Sequence, residues 1–346
     1  MAKYSCSVNR CRIMHSTLVL LGLFMAIFLK PTGAQVGVCY GMMANNLPPK
    51  PEVIALFQQK NIRRIRLYDP NQEALQALGG TNIKVMLGVP NEPDLQNLAA
   101  SQANADQWVQ NNVRKYSNVN FQYIAVGNEV KPTDPYARFL FPAMKNIHNA
   151  IVGAGLGDRI KVSTATFFGA IEVSYPPSHG KFHSDYQKLL SPVINFLKAN
   201  QVPILVNIYP YFSHMENPEQ VPLNYALFTS PSIVVNDGPF QYQYLFDAMV
   251  DAFYSALEKV DGGSLNIVVS ESGWPSQGGT ATSLENARTY NTKLVQHVNQ
   301  GTPKRPGPIE TYLFAMFDER NKEPEYEKHW GLFFPSKQEK YPINLN

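Results

Sequence analysis

Ile83-Lys84-Val85-Met86-Leu87-Gly88-Val89 and Ile204-Leu205-Val206-Asn207-Ile208 are nearly continuous apolar runs. A strand with one wet face alternates apolar and polar residues. A run that is apolar at successive positions is expected where both faces are buried, as in a parallel sheet covered by helices. Working outward from these two, strand candidates fall at residues 36–42, 63–69, 83–90, 121–129, 160–167, 203–211, 265–271 and 310–319. Helix-like stretches lie between them, including 51–60, 72–78, 104–116, 135–152, 184–199, 242–260 and 283–299. Glycine and proline punctuate the joints, at Gly79-Gly80, Gly153 to Gly157, Gly262-Gly263 and Pro303 to Pro308. Eight alternations without a linker argue for one α/β domain. A closed (β/α)8 TIM barrel and an open doubly wound sheet both fit. The count of eight units, with the length, favours the barrel, whose active sites sit at the C-terminal ends of the strands.

The composition narrows the class. Charged residues make up 16% of the 346 residues and hydrophobic ones 44%, the reverse of a disordered chain. No heptad or collagen-like period is present. The formal charge of +3 hints at an acidic partner such as nucleic acid or a membrane surface, but its source lies at the N-terminus. Lys3, Arg10 and Arg12 precede an apolar run over residues 17–29, followed by Lys30, Pro31, Thr32, Gly33 and Ala34. That is the layout of a secretory signal peptide cut after Ala34, and the run falls short of the roughly 20 residues a membrane span needs. Removing residues 1–34 leaves 26 basic against 27 acidic residues, a net charge of −1. The expected domains are therefore a signal peptide over 1–34 and one catalytic domain over 35–346. The mature chain begins at Gln35, which can cyclise to pyroglutamate. Neither nucleic acid nor a membrane remains as an expected partner once the signal is gone, and a monomer is expected. Of the three cysteines, Cys6 and Cys11 leave with the signal, and Cys39 lies in an apolar strand as a buried, inert thiol. A large core must then supply stability without disulfides.

The strand ends carry the chemistry. They read Tyr68-Asp69, Asn91-Glu92, Asn128-Glu129, Phe167-Phe168, Tyr209-Pro210-Tyr211, Glu271 with Trp274, and Asp318-Glu319. Glu129 and Glu271 each end an otherwise apolar strand, the fourth and the seventh, which lie almost across a barrel from each other. Two carboxylates can then flank a substrate bond, as glycoside hydrolysis requires. An aromatic-rich mouth suits the C–H faces of sugar rings.

Val126-Gly127-Asn128-Glu129 and Val268-Val269-Ser270-Glu271-Ser272-Gly273-Trp274-Pro275-Ser276 resemble the two catalytic motifs of plant endo-1,3-β-glucanases, glycoside hydrolase family 17. Val38-Cys39-Tyr40-Gly41-Met42, Tyr175-Pro176-Pro177-Ser178, Asn207-Ile208-Tyr209-Pro210-Tyr211 and Phe314-Ala315-Met316-Phe317-Asp318-Glu319 extend the resemblance over essentially all of residues 35–346. The resemblance implies a retaining endo-hydrolase of 1,3-β-glucan, with Glu129 as acid/base and Glu271 as nucleophile. It implies that Asn128 binds the 2-hydroxyl and that Tyr68 and Tyr209 line the subsite beside the cut. It also implies a charged trio of Glu319, Lys322 and Glu327, in which Lys322 lies near Glu271 or Glu319. The substrate is a polysaccharide, and no metal or cofactor is expected.

Other patterns carry less. Gly153-Ala154-Gly155-Leu156-Gly157 follows a helix and lacks the dinucleotide-loop spacing, so it reads as a helix end and loop. His179 and His183 sit among prolines and glycine that disfavour a metal-binding helix. Two alternatives remain: a 1,3;1,4-β-glucanase of the same family, and a non-catalytic glucan-binding barrel. The signal peptide points to secretion to the cell wall space. Family members sent to the vacuole carry a C-terminal extension, whereas this chain stops at Tyr341-Pro342-Ile343-Asn344-Leu345-Asn346, so export is favoured and the vacuole is the second destination. The physiological role suggested is defence or cell-wall metabolism.

Overall fold

The computed structural model describes residues 36–345; the expected signal segment and Gln35 lie outside the described residues. Eight strands close into a barrel: β1 (Val36–Tyr40), β2 (Arg64–Leu67), β3 (Lys84–Val89), β4 (Asn120–Asn128), β5 (Lys161–Phe167), β6 (Ile204–Asn207), β7 (Ile267–Ser272) and β8 (Thr311–Leu313). Each pairs in parallel with its sequence neighbour, and β8 returns to β1 to close the ring. The closed ring excludes the open-sheet alternative.

The apolar runs become strands because both their faces are covered. Inside lie the barrel's own side chains, and outside lies a ring of helices. In the helix Leu140–Gly153, Leu140, Ala143, Met144, Ile147, Ala150 and Ile151 are buried, a stripe at the helical period. Asn71, Ser101 and Ser283 cap their helices, each side chain accepting from the backbone N–H three residues on. The glycine-rich segment after residue 152 is a helix end, with Gly155 in the left-handed region at φ 72°.

The helix Leu245–Lys259 is buried nearly all round. A two-stranded hairpin, Ile171–Val173 with Lys181–Phe182, and the turn Pro177–His179 lie over its outer face. Contact is close enough to require glycine: a Cβ on Gly180 would lie 1.9 Å from the Ala252 carbonyl oxygen. A second hairpin pairs Val235–Asp237 with Phe240–Tyr242. Neither hairpin stands out from the sequence, because each strand is only two or three residues long.

Most strands end within two residues of expectation, β1 at Tyr40 and β2 at Leu67 among them, and three differences near the C-terminal mouth shape the site. β6 stops at Asn207, and Pro210 opens the helix Pro210–Glu216 from its first position, where a missing N–H is harmless. β8 stops at Leu313 rather than running to Glu319. Beyond it the chain pairs with a later segment, through Ala315 N–H to Trp330 O at 3.0 Å and Leu332 N–H to Ala315 O at 2.8 Å. β4 stops at Asn128, so Glu129 stands just past the strand at φ 53°, after Gly127 at φ 74°.

The register is irregular at the two strands of most interest. β4 slips against β5 between Ala125 and Asn128. β7 slips against both neighbours after Val269. Such bulges bend a strand and re-aim the side chains beyond them.

Candidate active site

β2 carries Arg64-Ile65-Arg66-Leu67, and residues two apart in a strand share a face. Both arginines therefore turn away from the helix layer, and both are buried. A buried guanidinium must be paired. Arg64 reaches Glu310 at 2.9 Å, at one end of the barrel interior. Arg66 lies toward the other end, over the Tyr68 ring at 4.7 Å from its centre, and makes four polar contacts. It pairs with a Glu271 carboxylate oxygen at 2.9 Å. It donates to Asn128 Oδ1 at 2.7 Å, Asn207 Oδ1 at 3.0 Å and the Ser270 carbonyl at 2.9 Å.

Glu271 sits in β7 just past the register slip and is 6% exposed. Besides Arg66, it accepts from Tyr68 Oη at 2.8 Å and Tyr209 Oη at 2.6 Å. Three donors on one carboxylate, one of them a guanidinium, fix its orientation and restrict its rotation. Replacing such a buried ion pair by apolar side chains is often neutral or stabilising, so the pair is weak evidence of a contribution to stability.

Glu129 faces the same cleft in a different setting. Its backbone N–H donates to the Ala165 carbonyl at 2.8 Å, and one carboxyl oxygen accepts from Asn207 Nδ2 at 2.7 Å. Burial pushes its carboxyl up and the negative charge of Glu271 adds to the rise, to a pKa of about 7. The Asn207 hydrogen bond and the Arg66 charge act in the opposite sense. Two glutamates of one cleft thus occupy contrasting environments: Glu271 is gripped by a guanidinium and two hydroxyls, Glu129 by one amide.

The cleft measures about 540 Å³ and brings Tyr68, Asn128, Glu129, Tyr209, Glu271, Glu319, Lys322 and Glu327 together. Asn128 directs its oxygen at Arg66 and Asn207, so its NH2 is the end turned away from them. Lys322 Nζ lies 3.7 Å from Glu319 and 3.4 Å from Glu327, and 4.3 Å from the Phe314 ring centre. Burial raises the pKa of both carboxyls, and Lys322 opposes the rise. Of the two positions expected for Lys322, the structure places it on Glu319, while Glu271 takes Arg66. Glu319 also accepts from the Met43 N–H at 2.7 Å.

The aromatic mouth is composed differently from the strand-end reading. Trp274 and Tyr211 are fully buried and stack edge to face at 5.1 Å. The Trp274 indole donates to the Ala281 carbonyl at 3.0 Å. Phe212, Phe314 and Trp330 line the cleft instead, with Trp330 5.1 Å from Tyr209 and 5.9 Å from Phe314. The sequence reading gave no role to Arg66 or to Asn207, although Asn207 opens one of the segments that carry the resemblance. The signal for Arg66 was present, as two arginines on one face of a barrel strand. Asn207 lay within an apolar run, where a single amide gives no warning.

Cys39 is buried and its thiol is pushed up to about 12 by burial, which makes it a poor nucleophile.

The model of Glycosyl hydrolases family 17 matches residues 36–345. The glucan endo-1,3-beta-glucosidase B of Solanum lycopersicum is 54% identical, over 95% of this chain and 92% of its own length. The basic vacuolar isoform GLB of Nicotiana tabacum, also a glucan endo-1,3-beta-glucosidase, is 53% identical over 95% of this chain and 90% of its own. Among solved structures, a plant beta-glucan endohydrolase superposes with a TM-score of 0.87 at 51% identity, covering 89% of this chain and 99% of that one. CJP38, a beta-1,3-glucanase and allergen of Cryptomeria japonica pollen, also gives 0.87, at 44% identity over 90% and 99%. A barrel with two glutamates at the ends of β4 and β7, matched along its whole described length, belongs to glycosyl hydrolase family 17.

Proposed function

We propose that this chain hydrolyses internal 1,3-β-D-glucosidic bonds with retention of the anomeric configuration, Glu129 acting as acid/base and Glu271 as nucleophile. The observation that carries the reading is the contrast between the two carboxyls in one cleft. Burial and the charge of Glu271 raise the pKa of Glu129 to about 7, so in mildly acidic surroundings it is protonated and ready to donate. Glu271, held by Arg66, Tyr68 and Tyr209, is poised as a carboxylate.

In the first half of the reaction Glu271 attacks the anomeric carbon while Glu129 gives its proton to the departing glycosidic oxygen. A covalent glycosyl-enzyme results. In the second half Glu129 removes a proton from water, which attacks the same carbon and frees Glu271. Retention calls for carboxyls about 5–5.5 Å apart, against about 6.5–9.5 Å for inversion. Asn128, with its NH2 turned away from Arg66, suits a sugar hydroxyl next to the nucleophile. Tyr68 and Tyr209 border the subsite at the cut, and Glu319, Lys322 and Glu327 close one side of it. The names of the relatives support 1,3-linked glucan as substrate.

The deciding experiment compares laminarin with barley mixed-linkage glucan and follows the anomer of the first product by proton NMR. Faster hydrolysis of laminarin with a β-product supports the reading. Preference for the mixed-linkage glucan identifies a 1,3;1,4-β-glucanase. An α-product refutes retention, and no release from either identifies a binding barrel.

The proposal extends to the route of the chain. Residues 1–34 direct secretion, and the mature protein starts at Gln35 as pyroglutamate and acts as a monomer in the wall space. A relative named as vacuolar makes the vacuole the second destination. N-terminal mass spectrometry of the protein from its native tissue tests the cut.

A further inference from the structure

Asn207 ends β6 with its side chain 1% exposed, between the two glutamates. Its carboxamide can be oriented in only one way. The oxygen accepts from Arg66 Nη1 at 3.0 Å and Ser270 Oγ at 2.8 Å, and a guanidinium offers donors alone. The NH2 must therefore face the other side, where it donates to Glu129 Oε1 at 2.7 Å and Asn128 Oδ1 at 3.2 Å. An oxygen receiving that N–H is a poor place for the acid's own proton. Glu129 also stands past the end of its strand in a left-handed conformation, so an anchor from another strand fixes where its carboxyl points.

We propose that Asn207 is a positioning residue which assigns the two oxygens of Glu129 their tasks: Oε1 is tied to the Asn207 NH2, and Oε2 carries the proton passed to the glycosidic oxygen and later taken back from water. This rests on the assignment of Glu129 as acid/base. The N–H on Oε1 also favours the carboxylate, the form needed to activate water in the second half of the reaction. Other groups facing Glu129 act on the same equilibrium. Glu271 on β7 and Glu327 beyond β8 favour protonation, while Arg66 on β2 opposes it. Tyr186, on the helix Ser184–Asn200, feels the Glu129 charge, and Lys322 is already engaged by Glu319 and Glu327.

The test compares pH profiles of kcat/KM on laminarin for wild type, Glu129→Gln, Asn207→Ala and Asn207→Asp. The aspartate keeps the shape of the side chain but replaces the donor with an acceptor. Arg66 retains Glu271 and the Ser270 carbonyl in both variants. The alkaline limb moves up by about one pH unit in Asn207→Ala and further in Asn207→Asp, whose carboxylate adds a like charge beside Glu129; in both, kcat falls by about 10- to 100-fold, with KM nearly unchanged. An alkaline limb that stays in place in both, or a raised KM at unchanged kcat, overturns the proposal. Glu129→Gln separates the two readings. A limb that survives in that variant refutes Glu129 as the acid. A limb lost there but unmoved in the Asn207 variants refutes the role of Asn207 alone. Wild-type protein gives an independent measure: the Asn207 side-chain amide signal in 15N NMR follows the Glu129 titration near pH 7, and a pH-independent signal overturns the hydrogen bond's proposed role.

Discussion

Replacing Glu271 by glutamine removes the charge that helps to keep Glu129 protonated, and the effect can be read on Glu129 itself. Two unit charges about 5.5 Å apart interact by about 3 kcal/mol at an effective dielectric near 20, equal to roughly two pH units. Arg66, 2.9 Å from Glu271, keeps its charge in both proteins, so its own pull on Glu129 drops out of the difference and the expected fall stays at up to about two units. Burial is the larger cause of the raised value and persists in the variant. The Glu129 midpoint therefore falls from about 7 in the wild type to an intermediate value, still above the ordinary 4.5. Titration of the 13C side-chain carboxyl signal in both proteins measures it. An unchanged midpoint in Glu271→Gln, or a wild-type midpoint near 4.5, would refute the idea that the pair sets the acid. The same physics operates during turnover. In the proposed mechanism, forming the glycosyl ester would remove the Glu271 charge, and Glu129 would become the stronger acid when it must serve as the base.

The Glu271→Gln change should also lower laminarin hydrolysis by at least about 10⁴-fold with an unaltered circular-dichroism spectrum; near-normal reducing-sugar release would remove Glu271 from the role of nucleophile. Tyr209→Phe deletes one of the hydroxyls on Glu271 and should lower kcat by about 10- to 100-fold, in line with the roughly 1.5–3 kcal/mol of a hydrogen bond to a charged group. For Glu129→Gln, stability and activity should part. The raised carboxyl binds its proton more tightly when folded, so its contribution is fully present below pH 4.5 and is lost as pH rises through about 7. The glutamine variant should therefore gain on wild type by up to about 3 kcal/mol at pH 8 and by little at pH 4; equal urea midpoints at both pH values would contradict this. In Gly88→Ala the new Cβ would lie 2.5 Å from the Tyr68 carbonyl oxygen, forcing β2 and β3 apart where Tyr68 reaches Glu271. A loss of about 1–3 kcal/mol in urea unfolding is expected, with reduced kcat, and full activity at wild-type stability would show that the strands adjust freely.

The amino-acid order alone determined the eight-fold alternation and the two glutamates, because both are local properties. A strand buried on both faces needs consecutive apolar residues, and a carboxylate ending such a run stands out against it. The caps at Asn71, Ser101 and Ser283 are local as well, with cap and capped N–H three residues apart, yet the stretch expected from 104 starts past the Ser101 cap of a helix that begins at Gln102. Barrel closure decided the rest. Arg66 meets Glu271 across 205 positions of sequence, and no periodicity within β2 names its partner. Trp274 and Tyr211 read as mouth aromatics, yet both are buried against each other and leave the cleft lining to other rings once Pro210 starts a helix and the chain turns after β7. The short β8 and the slips in β4 and β7 follow from pairing with distant segments. Above all, the unlike settings of Glu129 and Glu271 arise from burial, hydrogen-bond donors and charge supplied by other strands. Residue type announced two carboxylates; which of them holds its proton is a property of the field around them, and that field exists only in the closed barrel.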